Sequence, residues 1–450
     1  MSAKEALFWR SQAYPDMSPV RIDILEEHLD EATFLWSQWE RSLLESNRSL
    51  SDTTRCEERL LAHVDGLVIG GELAVSELLL PGLAANEVER VSASTFALLA
   101  GDEEEGLKEV LRLFDLGEKA PQRAGVRRAL ELSERQDLAT VLRKRLVADD
   151  MALRVLAFHV LAFRGAVAPE TRNEWIYCDD AMQVIAALQD TRPLPRNVIT
   201  SVLPQFLVDP RPGVREAAII PGLVSWSREA WKSCRRIAEE RRTKQCLVAL
   251  SLGGDERDVE WLAGLLHKPE LRSDVLWALG FSGRAIAAEA CLEWMDDVNV
   301  AALAGESFSA ITGLELDAPY RKAPHHAEML VPLEQENLDA DLVPAPEENL
   351  PVPISEAVRS WWQSSRKNFE RGVRYLRGKR LDMTGLLEAL WREPMRRRHI
   401  HALELSIRSR GTHKIQTNAL TRRQRADLEA VHASRIDLPM SPFVKIFDSH

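Results

Sequence analysis

His399 and His401 stand two residues apart, directly behind three consecutive arginines, Arg396 to Arg398. Two imidazoles at that spacing could share a metal ion on a strand, where alternate side chains point the same way. On a helix they diverge by about 200°. Leu403, Leu405 and Ile407 mark the setting as helical. Glu404 is the one nearby acid, and no cysteine or third histidine completes a zinc set. Solvated or phosphate-facing histidines are the favoured reading. The same helical geometry separates His63 from Asp65 and favours a structural role, His63 bonding a neighbouring helix and Asp65 near a helix end. The His325-His326 pair is equally unpersuasive as a ligand set. The chain has no Gly-x-Ser-x-Gly elbow, Gly-x-x-x-x-Gly-Lys phosphate loop or Gly-x-Gly-x-x-Gly turn. No catalytic residue, cofactor or metal is expected.

Charge supplies a second kind of chemistry. Arg366, Lys367, Arg371, Arg374, Arg377, Lys379 and Arg380 accompany Trp361, Trp362, Phe369 and Tyr375, with Arg422, Arg423 and Arg425 further on. Basic and aromatic side chains together can grip phosphates and stack bases. The net charge is +10 over residues 356–450, −6 over 317–355 and −15 over 1–316. That complementarity favours docking of the tail on its own acidic body or on a protein over nucleic-acid binding. The candidate partner-binding residues are His63, Asp65, Arg374, Arg377, Arg396, Arg397, Arg398, His399 and His401.

The elements that must position these groups read as helices throughout. Val126, Val155, Val184, Val214, Cys246, Val275 and Leu303 recur at steps of 29, 29, 30, 32, 29 and 28. A fixed period of this length is the signature of stacked helical hairpins, since one hairpin cannot bury its apolar face alone. Ahead of the array, Ile22, Leu25, Leu29, Ala32, Trp36, Trp39 and Leu43 step by 3 and 4, predicting one long helix. Thr54 and Glu57 form a Thr-x-x-Glu pattern that predicts a helix start at Thr54, and Gly70-Gly71 predicts the stop. Seven prolines between 317 and 355 predict an extended acidic linker. The expected class is all-α, a HEAT-like solenoid followed by a small basic helical domain. The expected divisions are an N-terminal helical region over 1–118, a repeat array over 119–316, the linker over 317–355 and the basic domain over 356–450.

The Asp209-x-x-x-x-Val214-Arg215-x-x-Ala218 pattern resembles the HEAT repeat. With Leu60 to Leu67, Leu303 to Gly313, Gly372 to Gly378 and Arg396 to Leu405, the chain resembles a bacterial HEAT-repeat family whose genes are often found near type VI secretion genes, particularly those for spike proteins. The resemblance covers most of the chain. It implies a non-catalytic interaction protein whose partner is a secretion effector, toxin or spike component, and it carries over no catalytic residues. The alternative is a nucleic-acid-binding or nucleic-acid-modifying protein that uses the basic tail. Five scattered cysteines without a Cys-x-x-Cys pair fit reduced core thiols in a cytoplasm. The charged residues at the start break any signal-peptide stretch, and no apolar run reaches the length of a membrane span.

Overall fold

The computed structural model describes residues 21–448 apart from 102, 118, 242, 324–345 and 435–436. The first residues and the His325-His326 pair therefore lie outside the described residues, as do Pro324, Pro332 and Pro344. Among the described residues the chain is all α, with one short two-stranded hairpin. It forms two compact units, residues 1–39 with 56–160 and residues 40–55 with 161–450. The basic segment 356–450 thus belongs to the same unit as most of the repeats.

Helix α1 (Ile22–Ser42) and α2 (Leu50–Ile69) open the chain. In the first unit the stripe of α1 is interior at Leu25, Leu29, Ala32, Trp36 and Trp39, while Ile22 stays exposed. Trp36 meets Trp39 and Phe96 edge-on, at 6.0 and 5.6 Å between ring centres. The helix start predicted at Thr54 falls one turn late. Ser49 and Asp52 form the reciprocal cap, Asp52 N donating to Ser49 Oγ and Ser49 N to Asp52 Oδ2. The Thr54 hydroxyl instead donates back to the Leu50 carbonyl at 2.7 Å, and Glu57 accepts from the Trp39 indole at 3.2 Å. Then come α3 (Gly71–Ala74), a π turn over Val75–Leu79, α4 (Leu80–Gly82), α5 (Val88–Ala100), α6 (Glu104–Leu116), α7 (Ala120–Leu132), α8 (Leu138–Arg143) and α9 (Met151–Phe163). Helix α5 packs along α7, with α6 against both.

The second unit continues with α10 (Pro169–Ile176), α11 (Ala181–Gln189), α12 (Arg196–Ser201), α13 (Leu203–Phe206), α14 (Pro212–Val224), α15 (Arg228–Arg241), α16 (Lys244–Gly253), α17 (Glu256–Gly264), α18 (Arg272–Leu279), α19 (Ala285–Glu293) and α20 (Ala301–Thr312). Helices stack on their counterparts in the next hairpin: α11 on α14, past the short α12 and α13, α16 on α18 and α18 on α20 in one layer, α17 on α19 in the other. This is the packing of a solenoid of helical hairpins. All seven periodic anchors are buried. They fall in α7, α9, α11, α14, α16, α18 and α20, so the period of about thirty is the step of the first helix of each hairpin.

Helix α21 (Ser355–Ser365) stacks on α19. Its Trp361 and Trp362 meet Phe308 of α20 edge-on at 6.0 and 5.5 Å. It is the second helix of the last hairpin, so the proline-rich stretch is an insertion within that hairpin. The ends of the insertion pair antiparallel at Arg321 and Pro353, with Lys322 N donating to Val352 O and Ile354 N to Tyr320 O. The remaining elements are strands β1 (Tyr375–Leu376) and β2 (Lys379–Arg380) and helices α22 (Met383–Arg392), α23 (Met395–Arg408), α24 (Thr421–Ser434) and α25 (Phe443–Asp448). Arg377 and Gly378 both have positive φ, the backbone that a two-residue hairpin turn needs. No strand was expected, and Leu-Arg-Gly-Lys was the signal for this one.

Candidate functional site

The arginines of the predicted basic face sit on α23, a helix in which no residue from Met395 to Arg408 is exposed. Arg397 and Arg398 are 0% exposed, Arg396 7% and His401 3%. As partner-facing residues these four are corrected by the structure: Arg396 and Arg397 find acceptors on the stacked repeats, Arg398 on neighbouring helices of the basic segment, and His401 is enclosed between them. The first helices of three hairpins end in carbonyl groups that no helical amide reaches. Arg408 donates to Leu252 O at the end of α16. Arg397 donates to Gly280 O, and Arg374 to Phe281 O and Ser282 O, just beyond α18. The backbone amides of Arg377 and Gly378 cap Ala310 O and Ile311 O at the end of α20. Cations at helix C-termini also meet the negative end of the helix dipole. The basic segment caps the array.

Carboxylates complete this interior. Glu404 holds Arg374 and Arg408 at 2.5 and 2.7 Å. Burial would raise its pKa, but the two guanidinium groups outweigh that and bring it to about 2. Glu393 receives Arg377 at 2.6 Å and is likewise brought to about 2 despite burial. Glu306 accepts from Arg396 at 3.0 Å, yet burial dominates and its pKa is raised. Burial, with the Arg397 charge, lowers His401 to about 4, and both of its ring nitrogens lack a hydrogen-bond partner. Arg398 donates to Leu390 O and Gln424. His399 bridges Thr417 Oγ1 and Leu43 O at 2.7 and 2.8 Å, pointing away from His401. No shared metal position arises from the two histidines, and no cluster of three metal-ligating side chains occurs among the described residues. Arg374 is interior, whereas 41% of the Arg377 side chain remains exposed.

The other pair lies in the first unit. His63 Nδ1 meets His28 Nδ1 of α1 at 3.0 Å, and Asp65 is exposed on a different side of α2. Burial lowers the His63 pKa, helped by the neighbouring His28. The structure does not bring His63 and Asp65 together.

With the basic segment enclosed, one accessible concavity of the repeats in the second unit is a groove of about 470 Å³. It crosses the starts of three successive first helices, with Lys244 from α16, Asp274 and Trp277 from α18, and Leu303 from α20. Glu347 and Glu348 of the insertion form its rim. Val298 stands 87% exposed at the edge. Lys244 pairs with Asp274 at 3.4 Å and lies 5.7 Å from the centre of the Trp277 ring, while Arg396 packs over the same ring at 4.2 Å. Sequence reasoning missed this surface because its residues come from three repeats and the insertion, and no contiguous motif joins them.

No family model and no curated protein matches the chain. Solved structures give faint likenesses. Human deoxyhypusine hydroxylase, in complex with glycerol, aligns at 14% identity and a TM-score of 0.24, over 62% of this chain and 97% of that one. The Escherichia coli protein YibA aligns at 14% and 0.29, over 66% and 99%. An engineered protein aligns at 16% and 0.26, over 62% and 87%. Scores of this size carry no argument, and the all-α assignment rests on the packing of the helices themselves.

Proposed function

We propose that this chain is a non-catalytic scaffold that binds a protein partner in the groove across α16, α18 and α20, and that the partner is a type VI secretion effector, toxin or spike component. The observation that carries the reading is the groove itself, an accessible surface built from three repeats with an aromatic floor, an exposed valine and acids at its rim. Asp274 is paired with Lys244 and Glu347 with Arg396, so a partner segment that presents lysine or arginine beside a small apolar side chain would compete with these cations for the acids of the groove. The secretion context comes from the family resemblance of the sequence. Immunity protein and effector chaperone or adaptor are the two roles within it.

The nucleic-acid reading rests on the basic segment 356–450 as a whole, with Arg396, Arg397 and Arg398 as its central cluster; those three are interior, which removes that cluster from any phosphate-facing surface. The test is co-purification of the full chain with products of neighbouring genes. The parent should capture one of them, and a chain carrying Asp274→Lys and Val298→Glu should bind it about tenfold more weakly or worse. Protection of a toxin-expressing cell would select immunity. Failure to capture any neighbouring product overturns the secretion role, and undiminished capture by the double variant overturns the groove.

A further inference from the structure

A second concavity, of about 180 Å³, lies elsewhere in the second unit. Its wall is the end of α9 and the following turn, with Phe163, Gly165 and Val167; Asp190 and Arg192 follow α11, and Lys414, Gln416, Arg423 and Asp427 come from the loop before α24 and from α24 itself. It shares no lining residue with the groove described above.

The acceptors around it are already occupied. Val167 O takes Arg192, and Phe163 O takes Arg423. Asp190 is closed by Arg192 through two nitrogens, at 2.8 and 2.5 Å. Arg172 stands behind it, fixed by four backbone carbonyls and 3.9 Å from Asp190. Asp427 accepts from the Gln416 amide at 3.2 Å. Lys414 is different: among the described residues its ammonium makes no hydrogen bond and no ion pair. Four cations, Arg172, Arg192, Lys414 and Arg423, thus surround two carboxylates, Asp190 and Asp427. Lys414 is itself exposed and Arg192 and Arg423 are half-buried, so the excess of positive charge stands at the mouth of the cavity, where it attracts an anion.

We propose that this cavity binds a small oxyanion, a phosphate or a short carboxylate, with Lys414 and Arg423 as its direct partners and Arg192 as the charge behind them. A volume of about 180 Å³ admits a ligand the size of a phosphate group or a three-carbon dicarboxylate. The Phe163 ring, 5.8 Å from the Arg423 guanidinium, gives the site one apolar wall.

The test uses the full chain, with calorimetric and thermal-unfolding titrations of inorganic phosphate and of malonate against sodium chloride at equal ionic strength. One of the two oxyanions should raise Tm saturably beyond chloride, and whichever does so names the ligand class. Lys414→Met should weaken that binding about tenfold or more, and Lys414→Arg should retain most of it. Asp427→Asn, which removes a repelling charge, should tighten it and serves as the independent variant where Lys414→Met does not fold. Equal shifts with chloride and both oxyanions overturn the proposal. So does binding that is indifferent to Lys414→Met, or to Asp427→Asn where that variant is the one read.

Discussion

Glu404 is a single carboxylate between two arginines, and its neutral replacement should be among the most damaging changes to this chain. Removing one member of a buried ion cluster leaves the others unpaired, a loss of about 3–5 kcal/mol. Glu404→Gln should therefore unfold at distinctly lower denaturant concentration than the parent. The sign of the pH dependence follows from the folded pKa values. Glu393 and Glu404 lie at about 2 in the fold against an ordinary 4.5, so their contribution is complete above pH 4.5 and disappears as pH falls toward 2. His401 lies at about 4 against 6.5, so its neutral burial also begins to oppose folding below pH 6.5. Glu306, whose pKa is raised, works in the opposite direction. Stability measured by urea titration should fall from pH 6.5 downward and steepen below 4.5, with a shallower acid limb in Glu404→Gln. At this scale the sequence was legible in residue type and silent about destination. Three adjacent arginines read as partner-binding residues because their acceptors, Glu306 and Gly280, lie 90 and 117 positions away.

The helices were more legible than the site, because their packing signal is local. The seven anchors located one helix of every hairpin from α7 to α20, and the stripe of α1 was visible in its 3-and-4 spacing. The start of α2 was misread, since Thr54 and Glu57 fit a cap pattern as well as Ser49 and Asp52 do, and only the tertiary partner of Glu57, Trp39, separates them. The hairpin at 375–380 was hidden because its role is to cap α20 rather than to build a sheet. Contact between elements also yields a prediction. A Cβ on Gly253, the last residue of α16, would stand 1.9 Å from the ring of Phe443 in α25. Gly253→Ala must displace that helix, and chemical denaturation should show a loss of about 1–3 kcal/mol. Gly264→Ala in α17 meets nothing within 4 Å and serves as the control. It should be neutral or slightly stabilising.

For the whole molecule, composition drew boundaries that packing does not follow. The change of charge at residue 356 is real, yet α21 completes the last hairpin and α23 covers the ends of α14, α16 and α18. A chain cut at 355 should expose Leu252, Trp277, Phe281 and Phe308 and fail to give a cooperative thermal transition for the remaining repeats. Recovery of a cooperatively folded 1–355 fragment would contradict this. The basic total of the tail is met partly by the body, Arg396 on Glu306, and partly within the tail itself, Arg374 and Arg408 on Glu404 and Arg377 on Glu393, so the acidic and basic totals do not simply cancel. Neither, taken alone, describes the surface that a partner meets.

The insertion in the last hairpin leaves and returns through an isolated antiparallel bridge between Arg321 and Pro353. A detour whose two ends are stapled together transmits little of its own length to the framework that carries it. The chain thus has a natural docking port for protein engineering: a fluorescent domain spliced between Lys322 and Glu347 should leave the melting temperature of the repeats nearly unchanged while placing a reporter beside the groove. Its emission would then follow occupancy of that groove directly.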